Sequence, residues 1–318
     1  MSDKAASGGA GGRAAEGTWL PQLAVVFASL LWGLWWIPVR ALEQRGLEGD
    51  WVSVAVYGFG ALGLLPLMLR QHRRFRQNLG TLAAAGLFCG AALAFWNHAI
   101  LVGEVVRVTL LFYLAPIWST LFAAVFLGER ITLRRGLTIA LGLSGAAIIL
   151  GVGEGGTGLP LPRGAADWMA IAAGISFAAS TTIIRGAGEG NSVPQSFATL
   201  LGAALVALAL ALIQPAAGTA GRELAAAALP LAAVVGILWL LPALWLVLWG
   251  AGQIDPGRVA ILLLLEVVTA AASAAVLTDE PFGTRELAGC LLVLAAGLVE
   301  AGAGRPWALG VLLRWRRR

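Results

Sequence analysis

Apolar runs of about twenty residues recur roughly every thirty residues along this chain, and charged residues gather in the short segments between them. The runs fall near 19–39, 51–69, 79–101, 108–127 and 136–152, and again near 166–184, 194–213, 229–250, 258–277 and 286–303. A bilayer core about 30 Å thick takes about 17–25 apolar residues per helix, so each run is read as one span. The pattern therefore predicts an all-α integral membrane protein with ten transmembrane helices, five on each side of a Gly/Pro-rich break. The first run is longer than a signal-peptide core and lacks a small-residue cleavage site behind it, so it is expected to remain in the mature chain.

The two groups of five are copies. The stretch Glu104–Arg134, shifted by 151, lands without a gap on Asp255–Arg285. Glu104 becomes Asp255, Arg107 becomes Arg258, Val108 becomes Val259, Leu111 becomes Leu262, and Ala123-Ala124-Val125 becomes Ala274-Ala275-Val276. A fixed period with acid and base in register marks an internal duplication. The expected organisation is a disordered cytoplasmic tail at 1–18, a first five-helix repeat at 19–152, a linker at 153–165, a second repeat at 166–303 and a basic cytoplasmic tail at 304–318. An odd number of spans per copy turns the second repeat over relative to the first. The reading is therefore two inverted five-helix repeats, the architecture on which alternating access runs, with a site near the midplane between repeats.

Composition agrees: 59% of the 318 residues are hydrophobic and 12% charged, with a mean hydropathy of +0.83, which leaves no room for a sizeable soluble domain. Charge sets the orientation. With both termini inside, 16 of the 22 Lys and Arg fall on the cytoplasmic side, against Arg40, Arg45, Arg107, Arg163, Arg222 and Arg285 outside, as the positive-inside rule requires. The expected location is the cell (inner) membrane of a prokaryote, multi-pass, with cytoplasmic termini. Cys89 and Cys290 both lie in apolar runs, which predicts free thiols at lipid depth and no disulfide.

Several motifs resemble a known family. Leu31-Trp-Gly33, the run Leu111-Phe-Tyr-Leu-Ala-Pro-Ile-Trp118 continuing to Phe126-Leu-Gly-Glu-Arg130, and the counterpart Leu262-Leu-Leu-Leu-Glu-Val-Val268 with Thr278-Asp-Glu-Pro281 resemble the EamA-type branch of the drug/metabolite transporter superfamily, over about residues 19–303. The resemblance implies a ten-helix bundle of two inverted repeats around a central cavity, no cofactor, and movement of small organic solutes such as amino acids or other metabolites, frequently outward. Glu266-Val267 stands where the family often has Glu-Pro, and Ala115-Pro116 is its counterpart in the first copy.

Glu266 is the sharpest candidate residue. It interrupts an apolar run at mid-depth, where an ionised carboxylate costs at least about 2.5–3.5 kcal/mol. It reads either as a cavity acid that binds an ammonium group or cycles a proton, or as an acid that fixes helix packing. Trp96-Asn97-His98 places the one histidine inside a span beside a tryptophan, which fits a proton sensor or solute ligand as well as an interfacial anchor. Trp32, Trp35 and Trp36, and likewise Trp239, Trp245 and Trp249, recur at helical spacing, so each set is expected to share a face. Trp32, Trp36 and Trp239, with Tyr113 and Pro116, are candidate cavity walls able to stack on a cation or planar solute, and Pro116 is expected to free a carbonyl in mid-span. Glu104 with Arg107, and Asp255 with Arg258, read as i,i+3 pairs at span starts or as matched gates at the two mouths. Gly86 and Gly90 predict close helix packing. Ser176, Ser180, Thr181 and Thr182 read as bonding backbone within their own span, the commoner case, or as hydroxyls offered to a solute.

Two other functions compete. Gly142-Leu-Ser144-Gly145 matches the surroundings of an intramembrane serine-protease nucleophile, which needs a base within reach, and His98 is the intramembrane histidine available. A channel for small solutes is the other. No phosphate loop, metal-ligand spacing or carboxylate pair occurs, so no enzyme activity, cofactor, metal or nucleic-acid partner is expected. The expected partners are a small-molecule substrate with an option of coupled protons, the lipid bilayer, and a homodimer as one assembly.

Overall fold

The computed structural model describes residues 19–128, 133–150, 162, 164–187, 193–213, 219–251, 253, 259, 262–278 and 282–303. The helices are α1 (Trp19–Gly33), α2 (Trp36–Glu43), α3 (Trp51–Arg70), α4 (His72–Gln77), α5 (Leu79–Val102), α6 (Val105–Phe112), α7 (Ala115–Phe126), α8 (Leu133–Leu150), α9 (Ala165–Ala187), α10 (Val193–Leu212), α11 (Thr219–Val234), a π-helical segment Val235–Leu240, α12 (Leu241–Ala251), α13 (Leu265–Leu277) and α14 (Thr284–Ala303). Among the described residues, seven helical stretches are long and apolar enough to cross a membrane. The other three expected spans fall on α8, α13 and α14, of which α13 has only thirteen described residues.

Four of the expected spans are not single helices. The first breaks between Gly33 and Trp36, the fourth between Phe112 and Ala115, the eighth passes through the π segment, and the ninth turns at Leu264 just before α13. Pro116 therefore does not sit in the middle of a helix. It occupies the first turn of α7, where its missing N–H is no loss, and the break lies just before it. In the Phe126-Leu-Gly motif, Gly128 takes φ +67°, a left-handed conformation that glycine supplies without strain.

The packing treats the two repeats as equivalents. α5 lies on α9 as α12 lies on α1; α6 and α7 lie on α9 as α13 lies on α1; α10 lies on α5 as α3 lies on α11 and the π segment. Equivalent helices also meet each other: α3 with α10, α6 with α13 and α8 with α14. Each of these contacts thus has its mate under exchange of the repeats.

Close backbone approach holds the layers together. A Cβ on Gly86 would sit 2.7 Å from the Ala198 backbone, one on Gly90 would overlap the Ala203 amide, and Gly202 of α10 faces the Gly86 carbonyl in return. With lipid as apolar as the interface, such small-residue contact supplies the van der Waals gain that association needs. Ser180 departs from expectation by donating across to the Ala85 carbonyl of α5 at 2.8 Å, while Thr181 and Thr182 bond the Ala178 carbonyl within α9.

Candidate functional site

Each break releases carbonyls from the helical ladder, and polar side chains of other helices take them up. The Trp35 amide bonds the Trp32 carbonyl, one residue short of the helical partner Leu31. The Leu31 carbonyl accepts instead from Trp239 Nε1 at 3.1 Å, across from the π segment. In the second repeat the Val267 amide bonds Leu264, and the Leu263 carbonyl lies 3.3 Å from the Tyr113 hydroxyl. Irregular backbone at this depth is tolerated where such partners exist.

Tyr113 itself stands at the break between α6 and α7, and its hydroxyl also contacts Glu266 Oε2 at 3.0 Å. The half-buried Glu266 lies in the first turn of α13, where the positive end of the helix dipole favours a carboxylate. The two copies of the duplicated stretch thus meet at this point, the tyrosine from one and the acid from the other. Gly33 lets α1 cross here, because a Cβ on it would lie 2.7 Å from the Glu266 carbonyl and 2.6 Å from Thr269 Cβ. The Leu-Trp-Gly motif therefore contributes a carbonyl, a ring and a gap. One turn beyond, Trp36 Nε1 donates to Ser273 Oγ at 3.0 Å, tying α2 to α13.

An aromatic chain leads away from the acid. Tyr113 and Phe112 meet edge to face at 5.8 Å, Phe112 packs on Phe177 of α9 at 5.9 Å and on Trp96 of α5 at 6.3 Å. Trp96 is 6% exposed, and its indole N–H has no hydrogen-bond partner among the described residues.

The tryptophans do not share faces as their spacing suggests. Trp32 and Trp35 stay in ring contact at 5.8 Å, but the break turns Trp36 towards α13 and sinks Trp35 into the first repeat. There Trp35 is 1% exposed, stacks on Tyr57 and donates to Asn97 Oδ1 at 2.8 Å. The π segment separates Trp239, turned inwards to α1, from Trp245 and Trp249, which stack on each other with Trp245 exposed.

Trp96, Asn97 and His98 part company because successive helical residues point about 100° apart. Asn97 is fully buried and spends its amide on Trp35 and on Ser53 Oγ, the latter at 2.8 Å. It pins the break between α1 and α2 to α3 and α5, a positioning role. Asn97→Ala strands the Trp35 indole and should cost about 1–3 kcal/mol, read as a lower unfolding midpoint in detergent. His98 Nδ1 lies 2.9 Å from Asp50 Oδ2, and Asp50 is wholly buried. Ser144 is exposed on α8, which packs on α14, α7 and α6, so the fold does not bring it to His98.

Arg107 does not take Glu104 as its ion-pair partner. Its Nε and Nη2 reach both carboxylate oxygens of Asp167, on α9 of the other repeat, at 2.6 and 2.7 Å. This bidentate geometry is the strong form of the pair. Glu104 instead precedes α6 in extended backbone. Glu104, Arg107, Gly164 and Asp167 line a pocket of about 410 Å³ that opens beside the pair. Arg40 packs on the Trp36 ring at 5.3 Å and donates to the Ile100 and Gly103 carbonyls that end α5. Asp255 and Arg258 lie outside the described residues.

Sequence reasoning passed over Asp50, Ser53, Asp167, Thr269 and Ser273. The available signal was that Asp50 and Asp167 each stand at the start of an apolar run, where a lone acid needs a partner.

Comparison with known proteins places these features. The model of the EamA-like transporter family matches residues 19–151 and 164–299, one match per repeat. No curated protein matches the sequence. A solved structure described simply as "Crystal structure of protein" matches with a TM-score of 0.56 and 20% identity, covering 90% of this chain and 97% of that one. That likeness speaks to the fold.

Proposed function

Because this chain belongs to the EamA-like transporter family, within the drug/metabolite transporter superfamily, we propose that it is a secondary transporter of small organic metabolites, such as amino acids, amines or drug-like compounds, working as an exporter or exchanger. The observation that carries the proposal is the crossing of broken helices from both repeats, where Tyr113 of the first copy donates to Glu266 of the second. Broken helices meeting at the repeat interface are where carriers place their substrate sites. Glu266 supplies the charge, Trp32, Tyr113 and Trp239 the aromatic surface, and the Trp96 indole an unused donor. The ten spans, the inversion of one repeat and the cytoplasmic termini belong to the same proposal. It is supported by the exchange symmetry of the packing and by the distribution of cations.

Alternating access requires that the contacts between repeats at one mouth part while those at the other close. The Arg107–Asp167 pair is proposed as the tie at one mouth, with Glu104 beside it. Asp255 and Arg258, by the repeat, are assigned to the opposite one. A carrier and a pore differ in counterflow. Proteoliposomes preloaded with unlabelled solute should transiently accumulate labelled external solute above equilibrium, with saturation. Uptake that merely equilibrates and rises linearly with concentration would favour a channel.

A further inference from the structure

We propose that the basic turn joining α3 to α5 is a docking site for anionic phospholipid headgroups, and that a headgroup held there fastens α4 against the second repeat. The site lies apart from the Glu266 crossing and does not depend on which solute is moved. From Trp51 to Gly103 the chain has no Asp or Glu, yet Arg70, Arg73, Arg74 and Arg76 gather in and beside α4. All four are exposed, and none has an ion-pair partner among the described residues. α4 packs on α3, α5 and α10, and these three helices carry no acid that could neutralise the patch.

Local geometry decides how the arginines are presented. The Gln71 amide bonds the Met68 carbonyl and His72 Nδ1 lies 2.9 Å from the Leu69 carbonyl, so the chain turns at the foot of α3 before α4 begins. Successive helical residues point about 100° apart. Phe75 faces inward, where its ring meets Phe197 of α10 edge to face at 6.1 Å; Arg74 and Arg76 therefore flank it and Arg73 points away. Leu67 and Leu69 of α3 and Leu79 at the start of α5 are exposed, a surface suited to acyl chains, which sets the guanidinium groups beside it at headgroup depth. A juxtamembrane arginine cluster attracts anionic lipid, and guanidinium forks match phosphate oxygens. A zwitterionic headgroup would bring an ammonium for which these helices offer no carboxylate. The occupant is thus an anionic glycerophospholipid of the leaflet at this end, the one proposed above as cytoplasmic. Because α4 belongs to the first repeat and Phe197 to the second, a lipid that holds α4 also holds the contact between repeats.

Hydrogen–deuterium exchange of the full chain in nanodiscs tests this without any transport measurement, so a failed counterflow assay leaves its outcome intact. In discs of phosphatidylcholine mixed with phosphatidylglycerol, amides of α4 and of the start of α10 should exchange several-fold more slowly than in phosphatidylcholine alone. Native mass spectrometry of the protein in detergent should show phosphatidylglycerol retained over phosphatidylcholine. Arg70→Gln/Arg73→Gln/Arg74→Gln/Arg76→Gln should weaken that retention at least about tenfold and remove the lipid-dependent protection. Arg314→Gln/Arg316→Gln/Arg317→Gln/Arg318→Gln removes the same charge from the tail and should leave both readings near wild type. Phe75→Ala keeps every arginine and covers the case in which the first quadruple variant is not recovered; it should lose the protection of α10 while phosphatidylglycerol is still retained. Equal losses in the two quadruple variants would reduce the effect to net charge and overturn the site, as would α4 exchange indifferent to phosphatidylglycerol. Displacement of the lipid by inorganic phosphate would assign the patch to a soluble anion and equally overturn it. Protection of α10 that survives Phe75→Ala would overturn the link to the second repeat.

Discussion

Asp167→Ala is expected to lower stability more than any other single change of a charged residue, and Arg107→Ala to do nearly the same. The two side chains are 14% and 5% exposed and joined by two short bonds. Removing one partner of a buried pair costs about 3–5 kcal/mol. The double variant Arg107→Ala/Asp167→Ala removes both charges and should regain a large part of that loss, which a double-mutant cycle on unfolding midpoints in detergent reads directly. Arg107→Lys should not restore the wild-type value, since an ammonium does not reproduce the fork that meets both carboxylate oxygens. Additive single losses, with no recovery in the double variant, would show that the pair is not a unit. The transport readout separates packing from gating. If the pair is the tie at one mouth, the double variant should exchange solute with altered kinetics even where its stability approaches wild type.

What the sequence made legible was global and periodic. Span positions follow from the bilayer's demand for apolar length, and the duplication from an offset that brings Glu104 and Arg107 onto Asp255 and Arg258. Glu266 stood out because a lone acid in an apolar run has few explanations. What stayed hidden was the set of breaks, because hydropathy runs unbroken through Gly33–Trp36 and Phe112–Ala115: both halves of a broken span face the same apolar surroundings. Face assignments built on unbroken helical periodicity consequently failed for Trp35 and Trp36 and for Trp239. Local rules misled in the same way at Arg107. The i,i+3 spacing pointed to Glu104, whereas the bidentate geometry is met by Asp167, sixty residues further on. The Tyr113–Glu266 contact joins residues 153 positions apart, and no local pattern encodes it. The repeat does so indirectly, since equivalent helices of the two copies meet each other and these two residues stand two positions apart in the shared register.

Gly90→Val should abolish recovery of folded protein, while Gly80→Val on the same helix should be tolerated far better. The contrast isolates packing from helix propensity, because both changes replace glycine with the same β-branched residue in α5. An added Cβ at Gly90 would run into the Ala203 amide and the Gly202 carbonyl carbon, which are backbone and have no rotamer to escape into, whereas nothing lies within 4 Å of the corresponding position at Gly80. α5 and α10 would have to separate, losing the close contact that small residues on both helices permit. By exchange of the repeats, α3 meets the π segment at a similar crossing, where Gly236 approaches the Gly60 amide and the Val56 carbonyl. Gly236→Val should therefore be comparably damaging, and its effect should reach the site, because the π segment carries the Trp239 indole that holds the Leu31 carbonyl. Fluorescence-detected size exclusion gives the measurement: a monodisperse peak for Gly80→Val with aggregation for Gly90→Val and Gly236→Val. Equal behaviour of the three would mean that the crossings are looser than the backbone distances require.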